Sequence, residues 1–263
     1  MKICVLSLYH GGKFKKDTKY GRQTIVDYCK KHNYDYIEDD SLVKEHDREI
    51  QWTKILLIQK YLQFKIDEKD TYYDYLVWLD ADIIILNPEK TIENFIERLM
   101  CRKDIMYSKD PYGWINNGVI FIKNTTQVLD FFRESWNHTN EVCREQGAMD
   151  ILYRMNWNNC RHYIQVTDDP KEYNPVWFMY EYGIFLMHFP GSGEPSRSSN
   201  SLLKMLDMFS PLKLKGDDEH ILDTEDSYQE RLKWLREDAE IDLKHKRQLC
   251  IQQGWKYFPI DLE

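Results

Sequence analysis

Two carboxylates stand one residue apart at the end of an apolar run: Asp80 and Asp82 in YLVWLDADIIILNPE, residues 75–89. The run before them, YLVWL, is hydrophobic enough to be a central strand covered on both faces. Ligands of open parallel sheets gather beyond the carboxyl ends of such strands. On an extended chain, residues i and i+2 point the same way, so both acids can face one site. Like charges that close repel, and one pKa rises unless a cation lies between them. A hard divalent ion, Mn²⁺ or Mg²⁺, takes oxygen ligands, keeps open positions and bridges to phosphate oxygens. The plainer alternatives are that the acids cap the helix expected after Pro88 or stand in solvent.

The elements that must position this pair are legible in outline. ICVLSLY reads as a buried first strand, TIVDYCKKH as helical, and YDYIED as a second, short strand. Residues 48–64 have the spacing of a helix, and YLVWL follows as the third strand. This β-α-β-α-β order predicts an α/β fold built on a mostly parallel, doubly wound sheet. Downstream, TIENFIERLM, VLDFFRESW and EQGAMDILYRM read as helices, and IMYSKD, GVIFIKN, YIQVTD and GIFLMHF as strands. From about residue 217 the chain becomes charge-rich, with Tyr228, Leu232, Leu235 and Ala239 on one stripe. That pattern suits a surface helix packed on the domain.

Composition narrows the class. With 263 residues and 42% hydrophobic content, the chain can bury a full core as one large domain with a modest appendage. Its net charge of −8 and its short, acid-flanked basic runs argue against nucleic acid as a partner. Six scattered cysteines with no CxxC pair read as reduced, mostly buried thiols. The apolar run at the N-terminus is too short for a signal-peptide core or a membrane span. A soluble cytoplasmic protein, monomer or homodimer, is expected, with the Golgi lumen as its place only if the chain is a trimmed form.

Three further stretches bear on the acids: WINNGVIFIKNT (114–125), EQGAMDILYR (145–154) and FLMHFPGS (185–192). With WLDADIIILNP before them, and YCKKHNYDYIEDD and REIQWTKILLIQKYL upstream, they resemble the metal-dependent glycosyltransferases of the GT-A fold. The resemblance is to the galactosyl-, mannosyl- and xylosyltransferase group called family 34, more loosely to family 8, and it runs from about residue 3 to 192. It implies a GT-A domain over 1–215, Rossmann-like with flanking helices, and a charged helical extension over 216–263. It also implies transfer of a hexose or pentose from a nucleoside-diphosphate sugar, UDP-linked by preference, to a saccharide hydroxyl with retention.

Residue roles follow from the same resemblance. Asp80, Asp82 and His188 would hold Mn²⁺ or Mg²⁺, with Asp80 also facing the donor. Asn116 and Asn117, at the opening of GVIFI, would hold the donor sugar's hydroxyls, although an ordinary Asn-Asn-Gly turn gives the same letters. Gln146 would lie beside the anomeric carbon, next to Glu145, which replaces the more usual Asp. Tyr9, in the loop after the first strand, would stack on the base, and Lys54 would reach the donor, a solvated lysine being the alternative. Gly191 and Ser192 would bring backbone N–H groups to the phosphates. Family 8 follows its histidine with a lysine; here Glu194 stands there, and Arg197 is the nearby substitute. Inversion would need a carboxylate base, for which Asp150, Asp168 or Asp169 is available.

Two other classes use the same letters. A haloacid-dehalogenase-type phosphohydrolase also places DxD after an apolar strand, but continues into Gly-Thr, whereas Ile83, Ile84 and Ile85 follow here. A catalytically inactive carbohydrate-binding protein on the same scaffold would bind glycans regardless of chelators.

Overall fold

A computed structural model describes residues 1–64, 72–110, 113–138, 144–176, 179 and 183–190. The expected extension over 216–263 lies outside the described residues, as do Gly191, Ser192, Glu194 and Arg197. Eight strands are present among them: β1 (Ile3–Ser7), β2 (Asp35–Glu38), β3 (Tyr75–Leu79), β4 (Ile83–Ile85), β5 (Ile105–Lys109), β6 (Ile115–Lys123), β7 (Ile164–Thr167) and β8 (Leu186–His188). Six form a central sheet in the order β2-β1-β3-β6-β5-β7, and β4 and β8 form a separate pair.

The first half is the expected parallel winding, with β1 parallel to both β2 and β3. β5 and β7 are also parallel, but β6 runs against both β3 and β5. The connection explains the reversal: only residues 110–114 separate β5 from β6, and a parallel crossover needs a dozen residues or more. The sheet is therefore mixed, mostly parallel, with one reversed strand at its centre.

Helices cover both faces, as the near-continuous hydrophobicity of β1, β3 and β6 requires. Strand residues alternate between two cores. Leu6, Leu76, Trp78, Ile120 and Ile122 pack under α3 (Thr53–Leu62), α5 (Thr126–Asn137) and α6 (Arg144–Arg154). Val5, Val77, Leu79, Val119 and Phe121 face α2 (Lys19–His32), α4 (Ile92–Leu99) and the β4–β8 pair; α1 (Gly12–Asp17) precedes α2 without a buried residue. Full burial of each large apolar side chain contributes roughly 1.5–3 kcal/mol.

Several elements differ from the sequence reading. The helix expected over 48–64 begins as a 3-10 turn, Ile50–Trp52, and is α-helical only over Thr53–Leu62. Ile83–Ile85, to which the sequence reading assigned no element, is β4. Asn116 and Asn117 lie inside β6, not in a turn ahead of it; the turn falls earlier, where Gly113 has φ 80°. The acids do not cap the helix after Pro88, because Thr91 does so, its side chain accepting from the Asn94 amide at 3.2 Å. No helix among the described residues is long and apolar enough to cross a membrane.

Candidate metal centre

Three segments bring the acids and the histidine together. β3 ends with Leu79 opposite Val119 of β6, and the Asp80 amide extends the ladder by donating to the Gly118 carbonyl at 2.8 Å. The chain turns at Ala81 and Asp82 and enters β4. β4 pairs antiparallel with β8, Ile83 opposite His188, while the Phe189 amide donates to the Asp82 carbonyl at 2.9 Å. A turn and a short ladder thus converge the side chains, where an extended chain was expected. One ligand atom each from Asp80, Asp82 and His188 lies within 4.8 Å of the others. His188 Nε2 is 3.4 Å from Asp82 Oδ1.

Gly118 is what lets the imidazole in. A Cβ at this position would stand 2.1 Å from His188 Cε1 and 2.7 Å from each ring nitrogen. The neighbouring Asn116 side chain accepts from the Gly118 amide at 2.9 Å and holds the strand in place.

Behind Asp80 lies a buried cation. Lys54, in the first turn of α3, has a side chain only 4% exposed. Its Nζ is 2.9 Å from Asp80 Oδ1 and 3.4 Å from Glu145 Oε1. It also donates to the Asn117 carbonyl at 3.1 Å and to Asn117 Oδ1 at 3.0 Å. Asn117 Nδ2 donates to Glu145 Oε1 at 3.0 Å, and the Asn117 amide meets Gln146 Oε1 at 3.4 Å. Trp78 Nε1 donates to Asp80 Oδ1 at 2.5 Å.

The electrostatics follow from this packing. Burial pushes the Asp80 carboxyl up; Lys54 and His188 pull it down while Asp82 pushes it up further, and it ends above the usual carboxylate value. Burial alone would lower the Lys54 amine, but Asp80 and Glu145 more than offset this and raise it. His188 is buried, and its Nδ1 has no hydrogen-bond partner among the described residues. Buried polar atoms ordinarily find a partner. Two carboxylates with one raised pKa, beside an imidazole with an orphaned nitrogen, fit a divalent cation, and the mixed O,O,N donor set suits Mn²⁺ as well as Mg²⁺.

Other expected site residues fall as follows. Lys54, Asn116, Asn117, Glu145 and Gln146 all gather around the end of β3. Lys54 is neither solvated nor free to swing toward a donor, since its three N–H groups are engaged by protein oxygens. Tyr9 does not offer an exposed stacking face: the ring is wholly buried, its hydroxyl lacks a partner among the described residues, and burial lifts its pKa well above the ordinary value. Asp150 is buried and engaged by the Ile115 amide and by Arg154. Asp168 pairs with Lys109 at the surface, and Asp169 caps a 3-10 turn by accepting from the Lys171 amide. The sequence reading missed Trp78 and Gly118. Trp78 sits at i−2 to Asp80 on one strand face, and Gly118 follows the paired asparagines, so both carried a signal.

No protein-family model matches the chain, and no curated relative matches it by sequence. Among solved structures it matches a glycosyltransferase involved in glycosylation of the major capsid of PBCV-1, at 18% identity and a TM-score of 0.61, over 79% of this chain and 100% of that one. It also matches the apo-form glycosyltransferase GlyE of Streptococcus pneumoniae TIGR4, at 12% identity and a TM-score of 0.51, over 80% of this chain but only 61% of GlyE. The fold is GT-A. In the GT-A sheet the acidic pair occupies the carboxyl end of a central strand, where ligands of such sheets collect.

Proposed function

We propose that the protein is a metal-dependent glycosyltransferase that moves a hexose or pentose from a nucleoside-diphosphate sugar, UDP-linked by preference, to a saccharide hydroxyl. The observation that carries this reading is the Asp80–Asp82–His188 cluster, with ligand atoms within 4.8 Å, at the end of β3 in a GT-A fold. Asp80, Asp82 and His188 would hold Mn²⁺ or Mg²⁺, which when bound supplies Lewis-acid stabilisation of the departing pyrophosphate. The side-chain exposures of Asp80 (27%), Asp82 (13%) and His188 (4%) grade the cluster from an accessible side to a buried one, so a diphosphate would approach over Asp80.

The remaining residues serve binding and orientation. Gln146 and Glu145, at the start of α6, stand beside Asn117 and so within reach of a sugar held next to the centre. Asn116 and Asn117 support the strand wall, and Gly191 and Ser192, which follow β8 in the sequence, would carry backbone donors to the phosphates. Retention follows from the family 34 resemblance; of the three carboxylates considered as inverting bases, Asp150 is buried and engaged by Ile115 and Arg154, whereas Asp168 and Asp169 make surface contacts with Lys109 and Lys171.

The test is hydrolysis of a panel of nucleotide sugars with Mn²⁺ and no acceptor, which identifies donor and class together. Slow release of sugar from a UDP-linked donor, abolished by chelator and by Asp82→Asn, is expected. Phosphate release from simple phosphate esters would favour a phosphohydrolase instead. Chelator-insensitive glycan binding without turnover would favour the inactive carbohydrate-binding scaffold. NMR of the first-formed product anomer decides between retention and inversion.

A further inference from the structure

Asp80 does not present its two oxygens equally. Both donors that reach it from behind, Trp78 Nε1 at 2.5 Å and Lys54 Nζ at 2.9 Å, converge on Oδ1. Oδ2 has no donor among the described residues. Neither donor is free to leave. Trp78 is 2% exposed and locked in β3 by core packing. Lys54 is held by Asn117 and Glu145 as well as Asp80, with its ammonium 5.4 Å from the centroid of the Trp78 ring.

We infer that Lys54 and Trp78 fix Asp80 as a one-oxygen ligand, and thereby make the centre prefer a small octahedral cation, Mn²⁺ or Mg²⁺, over Ca²⁺. Ca²⁺ takes six to eight oxygens and readily uses carboxylates through both of theirs, whereas Mg²⁺-like ions are satisfied by six ligands in strict geometry. For Asp80 to bind through both oxygens, Oδ1 would have to give up the Trp78 N–H, or the Lys54 ammonium, which would then keep only Asn117 and Glu145. Losing a hydrogen bond at a largely buried donor is costly. Lys54 is on this account a positioning residue, acting on the cation through Asp80, and this is a use for a buried lysine distinct from contact with a donor. The inference rests on the metal-centre reading above.

The measurement is Mn²⁺ binding followed by electron paramagnetic resonance, with Ca²⁺ and Mg²⁺ as competitors, on the wild type, Lys54→Met and Trp78→Phe. Circular dichroism establishes that each variant is folded. The ratio of Ca²⁺ to Mn²⁺ dissociation constants is expected to fall about tenfold in Lys54→Met, the lower end of what outer partners of metal ligands command, and less, about threefold, in Trp78→Phe, where the lost donor is neutral. A ratio unchanged in both folded variants, or equal proportional loss of both ions, overturns the inference while leaving the centre intact. If Lys54→Met does not fold, Trp78→Phe decides by the same criterion. A wild-type protein that binds no Mn²⁺ overturns the metal-centre reading, and this inference with it.

Discussion

The β3–β6 pair buries polar side chains at both of its ends, and the two ends balance them in opposite ways. Where β6 finishes, Asp104 is 8% exposed and accepts from Thr125 Oγ1 at 3.1 Å and from Gln127, with Lys123 Nζ at 3.8 Å. Beside it, Asn124 Nδ2 donates to the carbonyls of Leu62 and Tyr73, each at 3.0 Å. One carboxylate meets several donors and nothing is left over. Where β3 finishes, Asp80, Asp82 and Glu145 crowd around a single ammonium and an imidazole with an unpaired nitrogen. There three carboxylates stand against one fixed positive charge, with Trp78 and Asn117 N–H groups as neutral donors. Burial of polar groups does not by itself mark a site, since a closed network serves the fold as well. The sign of the imbalance does: a surplus of largely buried negative charge must be relieved, by a raised pKa or by a bound cation.

The largest break in this comparison should come from Gly118→Ala. The added methyl group overlaps His188 Cε1, so the imidazole must leave the cluster while β6 stays paired with β3 and β8 with β4. Mn²⁺ affinity is expected to fall by about 100-fold, the upper end for a change that displaces a ligand without replacing it. A manganese titration alongside a thermal melt checks this. Wild-type affinity in a folded Gly118→Ala protein would show that His188 takes no part in the centre.

The opposite end should respond in stability and not in binding. Asp104→Ala strips the half-buried Thr125 hydroxyl and the exposed Gln127 amide of their acceptor, and losing such hydrogen bonds costs about 1 kcal/mol. Denaturant unfolding should show that loss, with Mn²⁺ affinity within about twofold of the wild type, because the two ends share no partner. A matching loss of Mn²⁺ affinity would mean that the strand pair transmits strain between its ends and that the two networks are one.

How much of this was legible in the sequence depends on how local each feature is. The central strands were readable because an apolar run such as YLVWL needs cover on both faces, and the spacing of Asp80 and Asp82 announced a shared site. β4 was not readable: three isoleucines between the acids and Pro88 are too short a run to announce a strand, and only pairing with β8, some hundred residues on, makes them one. Asn116 and Asn117 looked like a turn because Asn-Asn-Gly is turn chemistry, but the ladder to β5, with Asn116 opposite Ser108, overrode that propensity. Lys54 was the least legible. A lysine in the helix expected over 48–64 reads equally as solvated or as reaching a donor, and the partners that bury it, Asp80 after β3, Asn117 of β6 and Glu145 of α6, are none of them near it in the chain.

The smallest expected effect lies at a third polar cluster, intermediate between the other two. Asp39, just past β2, accepts from Lys60 Nζ at 2.7 Å, from Tyr61 Oη at 2.8 Å and from the Ser41 amide at 2.8 Å. Burial acts to raise its pKa, but the hydrogen bonds from Lys60, Ser41 and Tyr61 prevail and hold it well below the usual carboxylate range. A carboxylate depressed in the folded state adds stability at pH values above its unfolded value, about 3.9, and that contribution disappears as pH falls toward the folded value. Lys60 is partly exposed, so the screened pair is worth at most about 1 kcal/mol, or about 2–4 °C in melting temperature for a domain of this size. Asp39→Asn should therefore melt slightly below the wild type at pH 7, with the gap closing between pH 4 and lower values. A gap that persists unchanged into acid would mean that Asp39 acts through hydrogen-bond geometry and not through its charge. The carboxylate surplus at the end of β3 would then be the only charge imbalance among these three clusters with a measurable consequence.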